Sequence, residues 1–176
     1  RPAGGVASGV VAGLGRGCEC EPVSVAGDTG GADAESANVH AELGPESDRE
    51  VLVTSHVDAH DIAEGAADNG AGTAMVVEIA RALAQREAEL DTRVHFVAYG
   101  AEEVGLVGSG RDADARDPES IVAVVNNDGV GRARDLTCDA HGFDGLVDAA
   151  GRVADRLDHP IEAAPELSPH SDHWPY

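Results

Sequence analysis

Lysine is absent: all 12 basic residues are arginine, set against 33 Asp and Glu, and the formal net charge is -21. A field this negative disfavours nucleic acid and anionic membrane surfaces as partners. It also opposes compaction unless salt screens the self-repulsion. Abundant Asp, Glu, Ala and Gly without lysine is the composition of a protein from a high-salt organism, with an acidic mesophilic chain as the alternative. Cysteine is scarce too. Cys18, Cys20 and Cys138 form an odd set whose spacing is not a disulfide framework. Cys18 and Cys20 fall on one face of a strand and read as packing residues, since the neighbouring ligands a zinc site would need are missing. No run approaches the roughly 18–20 apolar residues of a membrane span. No signal peptide is visible. The chain starts at Arg1 rather than a methionine, so the compartment, cytoplasmic or secreted, stays open.

The 176 residues suit one compact domain with one core and no internal repeat. Residues 1–37 are rich in Gly and Ala. Within them the pattern predicts a weak helix over Val6–Leu14, a strand over Cys18–Val25 and a loop over Gly27–Ala37. Asn38–Leu43 and Glu50–Ser55 read as strands joined by a turn over Gly44–Asp48, which predicts a hairpin. Gly72–Arg86 carries Val76, Ile79, Ala80 and Leu83 at helical spacing. Arg93–Tyr99 and Ile121–Val125 are apolar runs that suit strands buried on both faces of a largely parallel sheet. A short helix is expected over Val104–Arg111 and another strand over Arg134–Thr137. An amphipathic helix is expected over Phe143–Leu157, with Phe143, Leu146, Val147, Ala150, Val153 and Leu157 on one face. Strands alternating with helices imply an α/β fold, a three-layer sandwich with a mixed, largely parallel sheet and helices on both faces. In such folds ligands gather at the carboxyl ends of strands.

Five segments carry chemistry, and all lie at such ends or in adjacent loops. Ser55-His56-Val57-Asp58 follows an apolar strand; a neutral imidazole is a good zinc ligand, and Asp58 is placed to orient it. Asp68-Asn69-Gly70-Ala71-Gly72 opens a helix, where a carboxylate can bridge two cations; an ordinary capping turn has the same composition. Glu102 and Glu103 are adjacent glutamates after a strand, costly without cations nearby. A solvated acidic pair at a helix N-terminus is the plain alternative. Asn126-Asn127-Asp128-Gly129 closes another strand, and Ser171-Asp172-His173 lies within the last six residues. The remaining histidines considered, His60, His95, His141, His159 and His170, read as surface or packing residues, with His60 and His170 close enough to the motifs to support them.

In conjunction these segments, with Val104-Gly105-Leu106-Val107-Gly108-Ser109 after the glutamates, resemble metallopeptidase family 28, the co-catalytic zinc aminopeptidases and their relatives. The resemblance covers roughly Asn38 to Tyr176, in the family's order and spacing. It implies a catalytic domain over residues 38–176, with the first 37 residues adding a helix and first strand. It implies two zinc ions: His56 and Asp128 on one, Glu103 and His173 on the other, Asp68 bridging, Glu102 as general base and Asp58 in support. The implied substrate is a peptide, trimmed from its N-terminus; the oligomeric state is left open. The family's domain usually runs well past the last histidine ligand, so the chain reads as C-terminally shortened. Asp172 stands where some members carry a tyrosine. A carboxypeptidase-like or glutaminyl-cyclase-like enzyme of the same fold, or a shortened inactive binding module, are the rival readings.

Overall fold

The computed structural model describes residues 19–25, 34–131 and 136–176. The helix expected over Val6–Leu14, Cys18 and most of the loop expected over Gly27–Ala37 lie outside the described residues, as do Arg134 and Asp135. The main sheet holds β1 (Glu19–Val25), β2 (Ala34–Leu43), β3 (Glu50–His56), β4 (Arg93–Tyr99) and β5 (Ile121–Asn126) in the order β1-β2-β4-β3-β5. β1 and β2 pair antiparallel, as do β2 and β4, whereas β3 is parallel to both β4 and β5. The sheet is therefore mixed, with its parallel half carrying the loops of interest.

The expected hairpin does not form. β2 and β3 follow one another in the chain, yet β4 inserts between them, pairing Val39–Leu43 on one side and Glu50–His56 on the other. β3 and β4 are the apolar, almost wholly buried strands, and the centre of the sheet is where such segments lose most water-exposed surface. β2 also begins at Ala34, inside the stretch expected to be loop.

The helix α1 (Ala71–Ala84) lies on one face of the sheet. Its Val76 and Ala80 pack with Ala41, Leu43, Val53, Val94 and Phe96, and Ile79, Leu83 and Leu90 close the cluster. Each large side chain buried there contributes roughly 1.5–3 kcal/mol. The opposite face carries α2 (Val107–Ala115), displaced toward the C-terminus from the expected helix. Its Gly108 carbonyl accepts the Asn38 side-chain amide at 2.9 Å. A Cβ on Gly108 would stand 2.4 Å from Asn38 Oδ1 and 2.4 Å from the Gly100 carbonyl, so glycine permits this approach of helix to sheet.

Two expectations about apolar burial are corrected. β5 is not buried on both faces: Val122 and Val125 are exposed, because among the described residues β5 pairs with β3 alone. The last helix, α3 (Asp144–Leu157), forms close to its expected span, but Phe143, Leu146, Val153 and Leu157 remain exposed. It rests on a second, two-stranded parallel sheet of β6 (Leu136–Asp139) and β7 (Ile161–Ala164), and among its apolar residues Val147, Ala149, Ala150 and Ala154 are the more covered.

Candidate active site

The carboxyl ends of the three parallel strands deliver the acidic loops to one point. His56 is the last residue of β3 and only 1% exposed. Its backbone carbonyl accepts the Thr73 hydroxyl at 2.8 Å, tying the strand end to the first turn of α1. Beyond β3 the chain reaches an irregular turn over Ala66–Gly70 that contains a cis Asp68–Asn69 peptide.

Asn69 and Asn127 set the positions of their acidic neighbours. The Asn69 side-chain amide donates to the Asn127 carbonyl at 2.8 Å and accepts the Gly72 N–H at 3.1 Å. Asn127 in turn donates its backbone N–H to the Thr54 carbonyl at 2.8 Å and its side-chain N–H to the same atom at 3.1 Å. The loops after β3 and β5 are thereby clamped together, and Asp68 and Asp128 both reach His56. Nε2 of His56 lies 3.1 Å from Asp68 Oδ1 and 3.3 Å from Asp128 Oδ1. Gly72 is required by the same clamp: a Cβ there would meet the Asn127 carbonyl at 2.1 Å and Asn69 Oδ1 at 2.2 Å.

On its other side, Nδ1 of His56 faces the Asp58 carboxylate at 3.5 Å and the Asp58 carbonyl at 3.2 Å. The same carboxylate accepts the backbone N–H groups of Glu102 and Glu103, one on each oxygen, at 3.1 Å each. The glutamate loop is tight. Gly105 and Leu106 donate to the Glu102 carbonyl, and Ala101 takes a left-handed φ of 61°. Such a conformation costs a non-glycine residue roughly 1–2 kcal/mol.

The ligand atoms of His56, Asp68 and Glu103 all lie within 4.8 Å of one another, and so do those of His56, Glu102 and Asp128. His173 joins neither group. Its Nε2 sits 2.8 Å from the Ser168 carbonyl, and its ring packs edge-on against His141 with centroids 4.1 Å apart. His60, read as a surface or supporting residue, is largely exposed and contacts Glu103 at 3.0 Å. His95 lies in a buried polar layer on the α2 face and is a packing residue.

Crowding of carboxylates shows in their proton affinities. Burial, reinforced by the charges of Asp172, Asp128 and Glu103, pushes Glu102 up to about 7 against the opposing charge of His56. Burial likewise pushes the fully buried Asp172 up to about 6, against the nearby Ser109 hydroxyl and the charge of His56. Burial works against a charge on His56, but hydrogen bonds to Asp128 and Asp58 and the charges of Asp128 and Glu102 win and raise it to about 11. Asp58 is held low: burial opposes its charge, but the hydrogen bonds from His56, Glu102 and Glu103 outweigh it. Without a cation this cluster holds a proton on the imidazole. A divalent metal can replace that proton and neutralise the surrounding carboxylates, and a donor set of imidazole nitrogen and carboxylate oxygen fits zinc.

Sequence reasoning missed how Ser171 and the neighbours of His173 contribute. The Ser171 hydroxyl donates to Asp128 at 2.6 Å and accepts from the Asn126 amide at 2.7 Å. A serine two residues before a histidine has no distinguishing spacing, so nothing in the chain pointed to this bond.

The comparisons with known proteins bear on the family and the fold. The sequence profile described as Peptidase family M28 matches residues 38–176. Aminopeptidase YwaD of Bacillus subtilis (strain 168) is 44% identical over 64 residues, which are 36% of this chain and 14% of that protein. The solved structure of BSAP, a zinc aminopeptidase from Bacillus subtilis, superposes with a TM-score of 0.71 at 29% identity, covering 80% of this chain and 37% of that one. A Zn-dependent exopeptidase from Parabacteroides distasonis shares the fold, with a TM-score of 0.77 at 20% identity over 99% of this chain and 72% of that one. The chain thus spans well under half the length of the two Bacillus proteins it resembles. With its acidic loops gathered at the ends of β3, β4 and β5 and the profile matched from Asn38 onward, the chain belongs to peptidase family M28.

Proposed function

We propose that the chain is a dinuclear zinc aminopeptidase that releases N-terminal residues from peptides. The observation that carries this reading is the convergence of Asp68, Asp128, Glu102 and Glu103 on the buried imidazole of His56. His56 and Asp128 would hold one ion, Glu103 and His173 the other, with Asp68 between them. Bound zinc supplies a water of lowered pKa and a Lewis acid for the scissile carbonyl. His173 must give up its contact with the Ser168 carbonyl if Nε2 is to serve as the donor.

Glu102 is the base. It is 8% exposed and its loop is fixed through Asp58, so its carboxylate is held beside His56 and Asp128. From there it can take a proton from the attacking water and pass it to the leaving amine. Asp58 keeps His56 and the glutamate loop in register.

The test is one preparation assayed in high salt for zinc content and for hydrolysis of aminoacyl-anilides, blocked peptides and N-terminal glutaminyl peptides. Two zinc ions per chain, cleavage confined to free N-termini, and a loss of about 10³-fold or more in Glu102→Ala are expected. Activity on blocked peptides or cyclisation of glutaminyl peptides would move the assignment to another enzyme of the same fold. A chain that binds no zinc is a binding module.

A further inference from the structure

We infer that Tyr176 is a positioning residue for the His173 side of the site, acting through a buried polar chain that runs beneath the sheet. This inference rests on the dinuclear reading above. The stretch 171–176 is a compact turn, with the Trp174 N–H on the Ser171 carbonyl at 3.0 Å and the Tyr176 N–H on the His173 carbonyl at 3.3 Å. At its start, Ser171 is fastened to the end of β5 through Asp128 and Asn126. At its end, the Tyr176 hydroxyl donates to Asp112 of α2 and is bonded to the Tyr99 hydroxyl of β4. His173 lies between the two fastenings, beside the fully buried Asp172.

The second fastening is itself braced. Asp112 is 4% exposed and accepts Arg116 Nε at 2.8 Å. Arg116 Nη1 donates to Glu50 Oε1 at 2.6 Å, and Glu50 is the first residue of β3. The hydroxyl of Tyr99, fully buried, lies 3.2 Å from the same Asp112 oxygen. Tyr176 is therefore joined to α2, β3 and β4 together, while among the described residues the backbone bonds of the His173 turn are local. The Tyr176 hydroxyl, held by Asp112 and Tyr99, anchors the far end of the turn that carries His173. Such charge-assisted bonds are short and directional, which suits them to hold a ligand in place.

Zinc binding to the wild type, Tyr176→Phe, His173→Ala and the double variant, measured by competition with a chromophoric chelator, tests this. Circular dichroism and thermal melting report folding. The wild type is expected to bind two ions, with Tyr176→Phe weakening one of them about tenfold and leaving the other unchanged. In the His173→Ala background, Tyr176→Phe should leave the remaining ion untouched, because the coupling runs through His173. Wild-type affinity for both ions in Tyr176→Phe, or an equal loss on the remaining ion without His173, overturns the inference while leaving the dinuclear reading intact. Fewer than two ions on the wild type overturns both. If Tyr176→Phe does not fold, Asp112→Asn, which weakens the same bond from the other side, is titrated in the same way and judged by the same outcomes.

Discussion

Asp58 accepts the backbone N–H of Glu102 on one carboxylate oxygen and that of Glu103 on the other, while facing the Nδ1 side of His56. One side chain at the end of β3 thus sets the orientation of the imidazole and the course of the loop after β4. In Asp58→Asn the amide would turn a donor toward one of those N–H groups. The expected result is a fall in kcat of roughly ten- to a hundredfold with the chain still folded. Steady-state kinetics beside a melting curve will decide it, and an unchanged kcat would show that the two glutamates are held by other means.

Metal removal should cost stability. Carboxylates crowded round His56 repel one another, and cation binding relieves that repulsion only in the folded chain. Zinc at a hundredfold over its dissociation constant should add about 2.7 kcal/mol per site. Calorimetry with zinc and then with excess chelator should show the melting temperature rise and fall back; no shift in either direction would count against a metal centre here.

Gly72 has no room for a methyl group, since Asn69 and Asn127 close over it. Gly72→Ala should destabilise the fold by about 1–3 kcal/mol. It should also reduce activity, because relief of the clash opens the clamp that holds Asp68 and Asp128 toward His56. Gly110→Ala, where a Cβ meets nothing within 4 Å, is the control in urea denaturation. Equal midpoints for the two variants would refute the packing argument.

The pH dependence of stability should carry an acid limb from Asp112. Burial opposes its charge, but hydrogen bonds from Arg116 and Tyr176 and the charge of Arg116 hold it below the ordinary 3.8. The unfolded chain therefore takes up the proton first. The stabilisation is present above about 3.8 and is lost as pH falls through the lower folded value. Urea midpoints measured from pH 6 to pH 2.5 should drop steeply at the acid end in the wild type and less so in Asp112→Asn. Parallel curves would remove Asp112 as the cause.

Salt should stabilise the chain. With a formal net charge of -21 and no lysine, self-repulsion is long-ranged at low ionic strength and screened within about 3 Å at 1 M. The melting temperature is expected to climb steadily from low to molar salt, and a flat response would favour an acidic mesophilic origin.

Much of the fold was legible in the chain. The apolar runs at Arg93–Tyr99 and Glu50–Ser55 and the helical spacing of Val76, Ile79, Ala80 and Leu83 correspond closely to β4, β3 and α1, because burial selects for those periodicities. Strand order was not legible. Adjacent strands with a short turn predict a hairpin, but whether β4 inserts between β2 and β3 depends on which faces must be covered, a property of the assembled sheet. β5 misled for a related reason: an apolar run does not reveal whether it has one neighbour or two.

The sequence alone determined the chemistry on offer: carboxylates and histidines at strand ends, in an order that marks the family, on a chain with far more acid than base. Local composition suffices for that, since strand ends, turns and net charge are properties of short segments or simple sums. Only the tertiary structure decided which of those groups meet. It brought Asp68, Asp128, Glu102 and Glu103 to His56, left His173 on the Ser168 carbonyl, and recruited Asn69, Asn127, Ser171 and Tyr176 as the fastenings. Those contacts join residues far apart in the chain, and their distances are set by how parallel strands stack side by side, which no local pattern encodes.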